Sequence, residues 1–278
     1  MNIAFVWYFD KASQVMNKWR DGLRSAMDLI AKEHKVDWYL DKDRPKDEYD
    51  VVILWDDSNS EFFNYLDSYH AKKALCLTTN PQNFDNLKKL DVVYCESEPV
   101  YNEVRAQGIR AIRAFGTDTD FFKPRRVKRN YKEHKRKEFT KDIEYFYPAT
   151  FSPWKRQSEI AYLKSKLLCV GTVQPDGLEE YASCIKAGVR TEIGYFPVKR
   201  IRDYYQRSKN VIIPAIHGSE RTVLEALSCG IKPEVNRDNI KAYSYIKELE
   251  ESSLSPREFV VKNYSHYKYA KDILRGLQ

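Results

Sequence analysis

Pro214-Ala215-Ile216-His217-Gly218-Ser219-Glu220-Arg221-Thr222-Val223-Leu224-Glu225-Ala226-Leu227-Ser228-Cys229-Gly230 joins the apolar run Val211-Ile212-Ile213 to an amphipathic stretch through a polar loop containing a glycine. Such a junction reads as a strand feeding a helix that starts near Arg221. The first N–H groups of a helix have no acceptor within it and the helix dipole favours negative charge beside them, so the loop is an anion site. A phosphorylated ligand is the expected occupant. Glu225 falls about one turn into the helix, where its carboxylate can accept two hydroxyl hydrogen bonds from a sugar ring.

Outward from this junction, β-rich runs alternate with amphipathic stretches along the chain. Strands are expected at Ile3 to Tyr8, Val36 to Leu40, Val51 to Trp55, Lys73 to Thr78 and Val92 to Cys95. Helices are expected at Asn17 to Lys32, Ser60 to Ser68 and Pro99 to Gly108. After a basic interruption the pattern restarts, with strands at Ile143 to Tyr147, Lys166 to Gly171, Arg190 to Ile193 and Val211 to Pro214. The helices between and after them are Lys155 to Ser165, Leu178 to Ala187, Val198 to Ser208 and Arg221 to Ser228, and a last one is expected near Ser265 to Leu277. Alternation of this kind implies parallel sheets covered on both faces. The expected fold is therefore α/β, with two doubly wound Rossmann-like domains facing each other across a cleft. The domains expected are 1–122, a basic linker at 123–141, 142–262, and a C-terminal helix at 263–278.

Length and composition agree with this. The 278 residues suffice for two domains of ordinary size, and 42% hydrophobic with 31% charged residues describe a globular chain. The longest apolar runs are far too short to span a bilayer. No basic n-region or cleavage site precedes the first strand, so a cytoplasmic protein is expected. Five cysteines without C-x-x-C spacing argue against a disulfide framework or a zinc site and read as core thiols. The net charge of +7 is uneven: residues 1–120 hold 16 basic and 21 acidic side chains, residues 121–141 hold 10 and 2, and the remainder 21 and 17. The basic segment reads either as a solvated linker or as a contact for a polyanion, nucleic acid or an anionic lipid surface.

Three segments together resemble the GT-B nucleotide-sugar glycosyltransferases, in particular the retaining group known as family 4. Asp91-Val92-Val93-Tyr94-Cys95-Glu96-Ser97-Glu98 through Gly108-Ile109 to Gly116-Thr117-Asp118-Thr119-Asp120-Phe121-Phe122-Lys123-Pro124 is similar to that group's passage out of its first domain, ending in "GVDxxxFxP". Pro148-Ala149-Thr150-Phe151-Ser152-Pro153-Trp154-Lys155-Arg156 stands where the group has "GRxxxxKG". The opening stretch corresponds to its "E-x7-E" region and "LEAxAxG". The resemblance covers roughly Asp91 to Gly230.

What the resemblance implies is a retaining transfer of a sugar from a nucleoside-diphosphate sugar to a hydroxyl acceptor. Lys155 would be the cation on the diphosphate, and Gly218, Ser219, Arg221 and Thr222 would complete the cradle. Glu225 would hold the ribose hydroxyls, and Gly194, Tyr195 and Phe196 the nucleobase. No general base is demanded, because the departing phosphate can take the acceptor's proton, and no metal or other cofactor is implied. The acceptor would lie on the first domain near the loop from Tyr8 to Asn17 and near Thr79, Asn80 and Gln82. The sequence departs from the group's pattern at His217, which replaces the first glutamate of E-x7-E, and at Thr150, which replaces an arginine whose charge Arg156 or Arg221 could supply. Thr78 to Gln82 also lacks the histidine the group commonly carries there.

Plainer readings stand beside these. Lys155 can be an exposed residue in the first turn of a helix, Glu225 can pair with a surface lysine, and His217 can cap the helix start. Asp118-Thr119-Asp120 has D-x-D spacing but reads as a structural turn, and the remaining histidines form no metal spacing. The expected acceptor is a saccharide or glycoconjugate. The alternatives are a hydroxylated base in DNA, as in DNA modification, with nucleic acid reached through the basic linker, and a module that binds a nucleotide sugar without transferring it.

Overall fold

The computed structural model describes residues 1–10, 21–46, 48–125 and 141–278. The expected loop residues 11–17, the start of the first helix, and residues 126–140 of the basic linker lie outside them. The chain divides into two compact units, one formed by residues 1–118 with 262–278 and the other by 119–261.

The first unit is a six-stranded parallel sheet. Its strands are β1 (Asn2–Val6), β2 (Lys35–Tyr39), β3 (Val51–Asp56), β4 (Lys72–Leu77), β5 (Val92–Cys95) and β6 (Ala111–Arg113), in the order β2-β1-β3-β4-β5-β6. Both parities of each central strand are apolar, and each parity feeds its own core. Ala4, Val6, Val52, Leu54, Leu75 and Leu77 pack with Phe62, Phe63, Val100 and Val104. On the opposite face Ile3, Phe5, Val51, Ile53, Ala74 and Cys76 pack with Leu23, Met27, Tyr269 and Ile273. Near-continuous apolar strands are what a sheet buried on both faces requires.

The second face is covered by the helices Gly22–Ile30 and His266–Leu277, so the end of the chain belongs to the first unit. Tyr94, fully buried on β5, donates its hydroxyl to the Ile273 carbonyl at 2.6 Å. Where the first helix begins, backbone meets backbone. A methyl group on Gly22 would lie 1.8 Å from the Gly116 carbonyl oxygen, a contact that no rotamer change relieves. Gly22→Ala is therefore expected to destabilise the chain by about 3 kcal/mol, at the upper end of overpacking costs, measured as a lowered urea midpoint with an unchanged slope.

The second unit is a five-stranded parallel sheet of β7 (Ile143–Pro148), β8 (Leu167–Gly171), β9 (Arg190–Ile193), β10 (Ser208–Ile213) and β11 (Glu234–Val235), in the order β11-β10-β7-β8-β9. The strand order reverses between β7 and β10, and in open parallel sheets the crevice beyond the carboxyl ends at such a switch point is where ligands bind. Helices Leu178–Ala187, Val198–Arg207, Glu220–Ser228 and Ile240–Glu251 belong to this unit.

Two expected helices differ in kind. Glu61–Ser68 is a 3-10 helix whose buried Phe63 and Leu66 repeat at three residues, the 3-10 period. In place of one helix over Lys155 to Ser165, the chain makes a 3-10 turn at Pro153–Lys155, places Arg156 in the left-handed region (φ 53°), and continues in 3-10 turns over Gln157–Lys166 that are broken by a kink at Lys164 (φ 51°). The buried residues there, Gln157, Ile160 and Ala161, supply no α-helical stripe. The turn leaves Lys155 at its end instead of on the first turn of a helix.

Candidate functional site

The loops after β7 and β10 emerge side by side, because these strands pair in parallel through Asn210–Tyr145 and Val211–Phe146. A backbone bond from Ile216 N–H to the Trp154 carbonyl, 3.0 Å, ties one loop to the other. Lys155 then reaches across. Its Nζ donates to the His217 carbonyl at 3.0 Å and to Ser219 Oγ at 2.9 Å, while its own carbonyl accepts from the fully buried Tyr147 at 3.2 Å. Burial pulls the Lys155 ammonium down to about 8; Glu220 opposes that pull, and Arg221 and Lys241 add to it.

Gly218 (φ 70°) and Ser219 (φ 77°) are both left-handed. Glycine suits the first, where an L-residue is strained and a Cβ would sit 2.8 Å from Lys155 Nζ and displace it. Ser219 stands at the N-cap of the helix Glu220–Ser228, yet its hydroxyl caps no helix amide. It accepts from Lys155 instead. An ammonium thus lies against a helix start that its N-cap side chain does not cap, and both features attract the same anion.

A second layer fixes this loop. Asn239, 1% exposed, donates Nδ2 to the Gly218 carbonyl at 2.7 Å and accepts from Ala242 N–H with Oδ1, capping the helix Ile240–Glu251. Lys241 pairs with Glu220 at 3.1 Å, both buried. Sequence reasoning missed Asn239, Glu220 and Lys241. The signal available was an asparagine placed before the apolar positions Ala242, Tyr245, Ile246 and Leu249, a helix-start pattern.

The other expected residues are placed as follows. Glu225, 7% exposed, accepts from the buried Tyr205 hydroxyl at 3.0 Å through one oxygen, and its other oxygen lies 3.7 Å from Arg221 Nε. Arg221, on its own helix, is thus one cation beside it. Thr222 Oγ1 donates weakly to the Pro148 carbonyl at 3.4 Å. The His217 imidazole is exposed and makes no hydrogen bond among the described residues. Partial desolvation lowers its pKa from the usual imidazole value, and the Lys241 charge adds to that, which favours the neutral ring at pH 7. Its backbone carbonyl, not its ring, meets Lys155.

Thr150 shares a hydroxyl bond with Thr172 at 3.0 Å, and Arg156 turns to Glu159 at 3.2 Å. Gly194 (φ 139°) ends β9 and donates to the Gly171 carbonyl; Tyr195 beside it is exposed, and the Phe196 ring carries the Arg200 guanidinium at 4.7 Å. The expected site residues Lys155, His217, Gly218, Ser219, Arg221, Thr222 and Glu225 thus share one neighbourhood, while Gly194, Tyr195 and Phe196 stand beyond β9 at the far edge of the same sheet.

The fold with its two parallel sheets is similar to solved structures over the full chain. The Anabaena protein HepE, solved with UDP and glucose, has a TM-score of 0.64 at 11% identity, covering 100% of this chain and 99% of that one. The fold is GT-B. AviGT4, a glycosyltransferase of avilamycin A biosynthesis, follows at 0.63 and 13%, with 99% and 96% covered. A trehalose-6-phosphate synthase studied for glycosyl transfer with retention follows at 0.64 and 8%, with 100% and 99% covered. No family model matches the sequence, and no curated protein does.

In the first unit, the residues expected on the acceptor side, Tyr8, Thr79 and Asn80, lie beyond the carboxyl ends of β1 and β4. Tyr8 follows β1 and packs its ring on Phe62 and Tyr65, with centroids 5.6 and 6.3 Å away. Thr79 follows β4, and its hydroxyl donates to the Asn80 carbonyl at 3.2 Å. Asp118 is buried and accepts from Ser25 Oγ at 2.9 Å, with His266 Nδ1 3.8 Å away, which is packing work inside the first unit. Among the described residues no group of three or more histidine, cysteine or carboxylate side chains is placed to hold a metal ion, and no helix is long and apolar enough to cross a membrane.

Proposed function

We propose that this protein is a retaining glycosyltransferase that takes a nucleoside-diphosphate sugar as donor and a hydroxyl group, of a saccharide or glycoconjugate, as acceptor. The observation that carries the reading is the Lys155 ammonium held against the start of the helix Glu220–Ser228 at the β7/β10 switch point. In the transfer the bond from the anomeric carbon to the diphosphate oxygen lengthens and negative charge grows on that oxygen. Donors already aimed at that charge lower the barrier more than they stabilise the bound donor. Lys155 and the first amides of the helix supply them, and Arg221 lies one helical step away.

Glu225 would take the ribose hydroxyls, a carboxylate offering about four lone-pair sites. The acceptor hydroxyl attacks the anomeric carbon from the face the diphosphate leaves. It passes its proton to the departing phosphate oxygen, so the diphosphate is its own base. The neutral His217 ring is free to hydrogen-bond the donor sugar, where an imidazole selects different hydroxyls from a carboxylate.

The test is a panel of UDP, GDP, ADP and TDP sugars, followed by release of the nucleoside diphosphate and by the anomeric configuration of the product. Release from one donor with configuration retained is expected. Nucleotide binding with neither transfer nor donor hydrolysis would replace this reading with that of a binding module.

The reading also fixes a pH dependence. Lys155 holds a diphosphate only when protonated, and burial places its pKa in the free protein at about 8. Affinity for a nucleoside diphosphate is therefore expected to be level below pH 8 and to fall about tenfold per pH unit above it. Calorimetric titrations at pH 7, 8 and 9 check this.

A further inference from the structure

The second unit carries a groove that the donor site does not use. It has a volume of about 550 Å³ and lies between the helix Val198–Arg207 and the segment Phe121 to Arg125. Lys199, Arg202, Asp203, Gln206 and Arg207 line it from the helix, and Lys123 and Arg125 from the segment.

Five of these groups are cations and one is an anion. Asp203 binds Arg202 at 3.0 Å, and Asp142, outside the groove, binds both the Nε and an Nη of Arg207. No carboxylate among the described residues pairs with Lys123 or Lys199. The groove is also built, not merely charged. Gln206 Nε2 donates to the Lys123 carbonyl at 2.6 Å, which fixes the segment to the helix, and the Arg202 guanidinium lies 4.6 Å from the centre of the Phe121 ring.

The positions Lys199, Arg202, Asp203, Gln206 and Arg207 recur at helical spacing, so the polar stripe runs about 12 Å along one helix face. A single phosphate would meet only part of it. A row of cations of this length, with an aromatic ring among them, fits a chain of phosphates whose attached groups can stack. A flat bilayer would not enter a concave groove. We propose that this groove binds a single strand of nucleic acid, with its phosphates along Lys123, Lys199 and Arg202 and a base against Phe121.

The test uses a fluorescently labelled oligodeoxythymidylate of about 20 nucleotides and the full-length protein, with binding read as anisotropy between about 50 and 200 mM salt. The wild type is expected to bind with a salt-dependent affinity. The double charge reversal Lys123→Glu/Lys199→Glu, at two exposed side chains, is expected to weaken binding at least tenfold and to reduce the salt slope by about 1.4, two phosphates at about 0.7 each. Phe121→Leu, which keeps bulk but removes the ring, is expected to lose about fivefold with the salt slope unchanged. Circular dichroism melting confirms that each variant is folded. The proposal is overturned if the wild type does not bind, or if the double variant keeps wild-type affinity and slope, which would put the contact on residues 126–140 alone. It is equally overturned if the protein ignores the oligonucleotide and sediments with vesicles containing phosphatidylserine.

Discussion

Replacing Lys155 by alanine is expected to lower kcat/KM for donor turnover about a thousandfold, or about 4 kcal/mol of transition-state stabilisation. The size follows from how the charge is kept. Its two acceptors, the His217 carbonyl and Ser219 Oγ, are uncharged, and the carboxylate that favours its protonation, Glu220, is bound to Lys241. The ammonium is thus held in place without being neutralised, and its full charge is available to a leaving diphosphate. Melting temperature is expected to be equal or higher in Lys155→Ala, because burial penalises that charge in the folded chain. A kinetic loss without a thermal one separates a role in the site from a role in the fold. Lys155→Arg keeps the charge, but its planar guanidinium cannot occupy the position of a compact ammonium between two acceptors. It is expected to recover no more than about tenfold of the lost rate.

Gly218→Ala is expected to cost about a hundredfold in kcat/KM. An L-residue at φ 70° carries backbone strain of about 1 kcal/mol. The added Cβ would also stand 2.8 Å from Lys155 Nζ, and the ammonium is the flexible partner, so the lysine moves while the loop stays. That loop is held from behind by Asn239 on the Gly218 carbonyl. Most of the loss should therefore pass through Lys155. In a double-mutant cycle, Gly218→Ala on the Lys155→Ala background is expected to cost no more than about fivefold, a coupling of about 2 kcal/mol. Full additivity would mean that the glycine serves the backbone alone.

Much of the architecture was legible because burial on both faces writes strands such as Val51-Val52-Ile53-Leu54 as unbroken apolar runs. Two of the elements that escaped have little to bury. β6 has three residues, two of them half-buried, and β11 has two. The helix Ile240–Glu251 was hidden by its charged sequence, although Tyr245, Ile246 and Leu249 are buried on one side.

At the candidate site, the Gly218 loop and the helix start could be read from a glycine between a strand and an amphipathic run. The left-handed Arg156 and Ser219 could not, because neither residue type favours positive φ and tertiary contacts impose it. Asn239 shows in the sequence only as a helix start, and the bracing that it and Lys241 give a loop some 20 residues earlier does not. The roles carried over from the resemblance include backbone groups around Gly218 to Thr222 and at Gly194 to Phe196, but for position 217 they concern the side chain. For His217 the structure adds that the backbone carbonyl is the atom bound to Lys155.

The most direct measurement is a calorimetric titration of the wild type and Lys155→Ala with the nucleoside diphosphate of the preferred donor and with the matching nucleoside. A cation poised for a diphosphate predicts binding of the diphosphate by the wild type, about a hundredfold weaker binding by Lys155→Ala, and no change in the nucleoside's affinity. Equal affinity of the two proteins for the diphosphate, or binding of no nucleoside diphosphate at all by the wild type, would contradict the account.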